Sequence, residues 1–114
     1  MTLFVLGNVA KDSFYYLNNF PSSGETIISE KTLNDIGGKG FNQLIAARRL
    51  GVDVSFWTFT GSDETSEKIF QILKKEGVST ENIFKRNNNS DESIIFINNL
   101  GNNYIVSNCV NVLS

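Results

Sequence analysis

The chain has 114 residues, a mass of 12.7 kDa and a net charge of −2 from 10 Lys and Arg against 12 Asp and Glu; that is one small domain or a piece of a larger one, and without a basic cluster it excludes electrostatic nucleic-acid binding. A hydrophobic fraction of 40% with 11% aromatics supports a packed core, while no apolar run approaches the about 20 residues that cross a bilayer. With no histidine and one cysteine, Cys109, there is no disulfide, no transition-metal ligand set and no Ser-His-Asp or Cys-His arrangement, and the unpaired thiol fits a reducing cytosol.

The N-terminus lacks a basic start and a small-residue cleavage site, so it does not read as a signal peptide. Residues 3–6, Leu-Phe-Val-Leu, predict a short buried strand closed by Gly7-Asn8. Asp12 follows at its carboxyl end, where open α/β sheets bind ligands. A carboxylate there can accept hydrogen bonds from two hydroxyls, or serve as a turn or capping residue. Residues 14–17 and 26–33 predict two strands, split by a Pro21…Gly24 loop. Tyr15 and Tyr16 read as packing residues rather than catalysts.

Next comes Gly37-Gly38-Lys39-Gly40-Phe41-Asn42. A glycine turn feeding a helix N-terminus presents unpaired N–H groups and the positive end of a dipole, which suits anions and polar oxygens. It is not a Walker A loop, because Gly40 follows Lys39 where Ser or Thr is needed, and Gln43 occupies the third glycine of a dinucleotide fingerprint. Residues 41–50 predict a helix with Phe41, Leu44, Ile45, Ala46, Ala47 and Leu50 spread around most of its circumference, hence well buried. Asn42 in its first turn can donate and accept to a ligand, or cap the helix. Lys39 either screens negative charge near the site or is a solvated lysine.

Residues 52–60 are β-rich and predict a second core strand in which Trp57 packs. Ser62 or Asp63 then caps a helix whose inward face is Ile69, Phe70, Ile72 and Leu73 and whose end is marked by Lys74, Lys75 and Gly77. Residues 83–85 predict a short strand, and 93–97 and 104–106 a hairpin. This succession argues a parallel sheet with helices packed against it. No internal repeat appears.

Gly37-Gly38-Lys39-Gly40-x-Asn42, with Gly51 and Gly61 beyond, resembles the first signature of the ribokinase (PfkB-type) sugar-kinase family. The Phe20-Pro21-x-x-Gly24-Glu25-Thr26 string and Gly61-x-Asp63 are similar to it as well. The resemblance implies an α/β, ribokinase-like fold: a parallel sheet with flanking helices plus a small β-sheet lid. It implies that residues 1–114 are only the N-terminal portion, with lid strands at about 13–34 and 93–107 and the nucleotide-binding half absent. It gives Asp12, Gly38, Lys39, Gly40 and Asn42 to the sugar, and makes Gly37 and Gly38 the hinge between lid and core.

ATP and Mg are implied for the complete enzyme and none for this chain alone. The partners implied are a small-molecule sugar and a second copy through the lid, with no nucleic acid and no membrane, in the cytoplasm. The family's base and oxyanion-stabilising helix end come from a Gly-x-Gly-Asp segment, which is absent here, so the chain alone is expected to be inactive. The alternative is a non-catalytic remnant that binds a sugar or a protein. Four positions depart from the family: Ala10 where ribokinases have asparagine, Leu44 for a small residue, Ser66 for glycine, and Cys109 for the glycine of a Gly-Ala-Asn segment.

Overall fold

The computed structural model describes residues 2–111. Seven strands and two helices follow in the order β1 (Thr2–Leu6), β2 (Ala10–Tyr16), β3 (Lys31–Gly37), α1 (Lys39–Arg49), β4 (Asp53–Thr60), α2 (Glu64–Lys75), β5 (Ile83–Lys85), β6 (Asp91–Ile97) and β7 (Asn103–Asn108). They form two sheets. One is three-stranded and parallel, in the order β1-β4-β5, and the other is four-stranded and mixed, in the order β3-β2-β6-β7.

The parallel sheet is built as its alternation dictates. Val54, Phe56, Thr58 and Thr60 point to one side of β4 and are buried. Against that side pack Phe41 and Leu44 of α1 and Ile69 and Leu73 of α2, joined by Val5, Val78 and Ile83 in one apolar cluster. Each such aliphatic side chain contributes about 1.5–3 kcal/mol. Leu44, a departure from the family pattern, is fully buried here, and Ser66 bonds Thr60 Oγ1 at 3.0 Å in the same interior. The two helix ends are clipped by Arg49 and Glu76 at 2.7 Å, and Arg48 Nε donates to the Glu76 carbonyl at 3.1 Å.

Among the described residues nothing covers the other side of this sheet. Phe4 and Leu6 are 61% and 72% exposed, and Trp57, expected in the core, is 37% exposed beside them. Its register partner is Leu6, and its indole N–H donates to Ser55 Oγ at 3.1 Å. Parity along β4 puts Trp57 opposite Phe56, so burial of one exposes the other when only one face is covered. The expectation that α1 is buried around most of its circumference is corrected for the same reason. Only Gly40, Phe41 and Leu44 are buried in it, and Leu50 is 84% exposed.

The second sheet takes strands from two distant stretches, with β2 and β6 in parallel and the β2–β3 and β6–β7 pairs antiparallel. The strand expected over 26–33 is shifted: residues 26–29 lie in a loop, and β3 runs from Lys31 through the first glycine of the turn. Long-range pairing with β2, from Ala10–Gly37 to Tyr16–Lys31, overrides the weak local preference of Asn34 and Asp35.

Asp63 ties the two sheets. Its carboxylate caps α2 by accepting from Ser66 N at 3.0 Å, and it accepts from Ser90 N and Ser90 Oγ, both at 2.7 Å, just before β6. Burial raises its pKa, but the bonds from Ser90 and Ser66 outweigh that and hold it below the usual carboxylate value. A depressed pKa gives stability that is present above about pH 4 and lost as the pH falls through the lowered value. Asp63→Ala is therefore expected to cost about 1–2 kcal/mol in urea unfolding at pH 7. The gap between the two proteins should narrow progressively below pH 4.

Candidate functional site

The glycine turn is placed by close backbone contact with the segment that joins β1 to β2. A Cβ on Gly40 would stand 2.7 Å from Gly7 Cα, and one on Gly38 would stand 2.5 Å from the Asn8 carbonyl oxygen. Gly38 also has φ +105°, a conformation that side chains disfavour. The space above Gly37 is occupied by the Asp12 carboxylate. Asp12, Gly37, Gly38 and Gly40 thus come together at one end of the second sheet. Asp12 does not sit in a loop: it is the third residue of β2, three residues beyond Val9, which is buried.

Gly38 is the N-cap of α1 and supplies no side-chain hydrogen bond, so among the described residues the first N–H groups of the helix have no side-chain cap. Asn42 does not cap; its backbone N–H donates to the Gly38 carbonyl at 2.9 Å, and its side chain is exposed. Lys39 is exposed too. Among the described residues no hydrogen bond or ion pair joins Lys39 or Asn42 to Asp12; the ion pairs there are Arg49–Glu76 and Lys85–Glu67. The open helix end and the carboxylate offer donors and an acceptor side by side, a combination suited to a neutral polyhydroxyl ligand.

Two residues of this region were given no site role from the sequence. Asp35 is the register partner of Asp12 across β2 and β3, and its Oδ1 accepts from Ile36 N at 2.8 Å. Only the observed position of β3 reveals the pair. Burial pushes the Asp12 carboxyl above its ordinary value, and the neighbouring Asp35 charge pushes it the same way. Asn111 is the second. It is buried beside Asp91, whose Oδ1 accepts from Val110 N and Asn111 N at 2.8 Å each. Asn111 Nδ2 donates to the Asn89 carbonyl at 2.9 Å, while Oδ1 has no partner among the described residues. Asp91 is the register partner of Ala10, which brings Asn111 to the same end of the sheet. Cys109 is exposed and free.

The sequence pattern of the pfkB family carbohydrate kinase matches residues 2–109. A ribokinase of Haemophilus influenzae is 37% identical over 82 residues, covering 72% of this chain and 27% of the relative. The crystal structure of a ribokinase from Cryptococcus neoformans in complex with ADP superimposes with a TM-score of 0.80 at 30% identity, over 94% of this chain and 34% of that one. A ribokinase of Arabidopsis thaliana complexed with ribose and ATP gives a TM-score of 0.85 at 25% identity, over 92% and 35%. The chain spans about a third or less of the length of these relatives.

Two substitutions test the geometry. Gly40→Ala sets a methyl group against backbone that cannot give way, and a loss of about 1–3 kcal/mol is expected in urea unfolding. Asp12→Asn removes a charge whose pKa is raised, and a raised pKa means the ionised form weakens the fold. The variant is expected to unfold at a higher urea concentration than the native protein at pH 7. The difference should shrink as the pH falls through the raised native value and disappear below about 4, where the unfolded carboxyl is protonated as well.

Proposed function

This chain belongs to the pfkB carbohydrate kinase family, and on that footing we propose that residues 2–111 form the sugar-binding portion of an ATP-dependent kinase that phosphorylates a sugar hydroxyl. The observation that carries the reading is the glycine turn seated on residues 7–9 with the Asp12 carboxylate over Gly37. In this reading Asp12 accepts hydrogen bonds from two sugar hydroxyls. The uncapped N–H groups of Gly38, Lys39 and Gly40 donate to sugar oxygens, and the Asn42 amide completes the contacts. A pentose is the substrate class proposed, since ribokinases stand among the relatives and one was solved with ribose.

The second sheet acts as a lid, hinged at Gly37 and Gly38. Leu33, Phe14, Ile95 and Ile105 fall in one register row on the same face as Asp12. Leu33 and Ile105 at its ends are exposed, which supports the proposed pairing of lids in a homodimer. The setting proposed is the cytosol, in line with the single unpaired thiol. Among the described residues no helix is long and apolar enough to cross a membrane.

In this reading the nucleotide and magnesium are held outside residues 2–111. The sequence has no Gly-x-Gly-Asp segment, and among the described residues no group of three or more His, Cys, Asp or Glu can hold a metal. No phosphoryl-transfer step is assigned to this chain. The ATP and Mg of the complete kinase belong to the nucleotide-binding half, and the bare face of the parallel sheet supports a further layer there.

Titration of isotopically labelled protein with D-ribose and other neutral pentoses, followed by NMR, tests the reading. Saturable shifts are expected at the amides of Asp12, Gly38, Gly40 and Asn42. Asp12→Asn should weaken binding by roughly tenfold or more, the size of a hydrogen bond to a charged group. An unchanged affinity in that variant would overturn the assignment of Asp12. Sugar-dependent ADP release by the pure protein would overturn the inactivity proposed for the chain alone.

A further inference from the structure

On the face of the second sheet opposite Asp12 lies a groove of about 700 Å³, roofed by the loop of residues 17–30. Asp12 and Tyr15 point to opposite sides of β2 by strand parity. Four aromatic rings line the groove: Tyr15, Phe20, Phe96 and Tyr104. Tyr15 stacks on its register partner Phe96 with centroids 5.7 Å apart, and Phe20 meets Tyr104 edge-on at 4.5 Å. The loop is anchored at both ends, by Leu17 N to the Ile97 carbonyl and by Glu30 N to the Tyr16 carbonyl, each at 2.8 Å. A turn inside it, closed by Glu25 N to the Ser22 carbonyl at 2.9 Å, holds the Glu25 side chain, whose Oε1 accepts from Ser22 N at 3.0 Å. The groove is therefore built before any ligand arrives.

Its charge is one-sided. Among the described residues that line it, Glu25 is the only ionisable acid or base of the carboxylate, ammonium or guanidinium type, and no Lys or Arg is among them. Aromatic faces carry negative potential, and a carboxylate at the rim adds to it. Other rings of this protein are already matched with cations: Lys31 over Tyr16, Lys85 over Phe70, and Arg86 over Phe59 at 3.9 Å. The four rings of the groove have no such partner among these pairs.

We propose that the groove is a binding site for a small organic cation with an apolar body, of the quaternary ammonium class. The ring faces take the methylated cation without the desolvation cost of an inorganic ion, and Glu25 neutralises it from the rim. The site lies across the sheet from the sugar-binding residues and does not depend on that assignment.

The probe is tetramethylammonium chloride, added at constant ionic strength to labelled protein, with tert-butanol as a neutral molecule of similar bulk. Saturable NMR shifts are expected at Thr26, Ile27, Ser29 and Phe96, with none at Gly38 and Gly40. Tert-butanol should bind at least threefold more weakly. Tyr104→Ala, at a position 63% exposed, should weaken the cation by about two- to fivefold. Glu25→Gln keeps an acceptor for Ser22 N, and should weaken the cation at low salt more than at high salt. Unchanged shifts at residues outside the groove confirm that both variants are folded. The proposal is overturned by equal binding of tert-butanol, by the absence of saturable shifts at the loop, or by affinities that neither substitution changes.

Discussion

Gly7 and Gly40 meet backbone to backbone, with no room for a methyl group between them, and the rest of the arrangement follows from that contact. The chain passes the spot twice. On the first pass residues 7–9 carry it from β1 in one sheet to β2 in the other. On the second, β3 ends at Gly37 and Gly38 turns it into α1. Because the two passes touch, the start of α1 is fixed against the end of β1, and Leu44 one turn later is delivered to the core. The same contact leaves Asp12 on Gly37, since the β2–β3 pairing begins with Ala10 opposite Gly37. Core packing and the candidate site therefore share one steric requirement.

Three aspartates near the join of the two sheets are used in different ways. Asp63 accepts three hydrogen bonds and its pKa is lowered despite burial. Asp91 accepts two backbone N–H groups and holds the turn after β7. Among the described residues Asp12 has neither kind of support, and burial and Asp35 both act against its charge. A carboxylate whose bonds are all made contributes to the fold. One whose oxygens are free and whose ionised form is disfavoured lowers its energy when a ligand brings donors. The distinction follows from the local hydrogen bonding of each residue.

The parts of this structure that were legible in the sequence are those fixed by short-range rules. The cap at Ser62 or Asp63, the basic end of α2 at Lys74 and Lys75, the β-rich run of β4 and the glycine turn each depend on a few adjacent residues. The position of β3 was not legible, because Asn34 and Asp35 have little strand preference and are held by β2, far back in the chain. Asp35 as the partner of Asp12, and Asn111 beside Asp91, became visible only with that register and its neighbour. Trp57 was expected in the core because composition reports which residues are apolar, not how many faces of a sheet are covered.

That last difference separates two kinds of surface in the molecule. The end of the second sheet that carries Asp12 is closed by contacts made within residues 2–111, from Gly7 against Gly40 to Asp63 against Ser90. Among the described residues the outer face of the parallel sheet has no such closure, and Phe4, Leu6 and Phe84 stand exposed on it. Parallel sheets are ordinarily covered on both faces, because their crossover connections lay helices on each side. Here both helices lie on the one face lined by Val54 and Phe56. The geometry around Asp12 therefore rests on no residue of the bare face, and a layer added there would bury Phe4, Leu6 and Trp57 without disturbing the glycine contact.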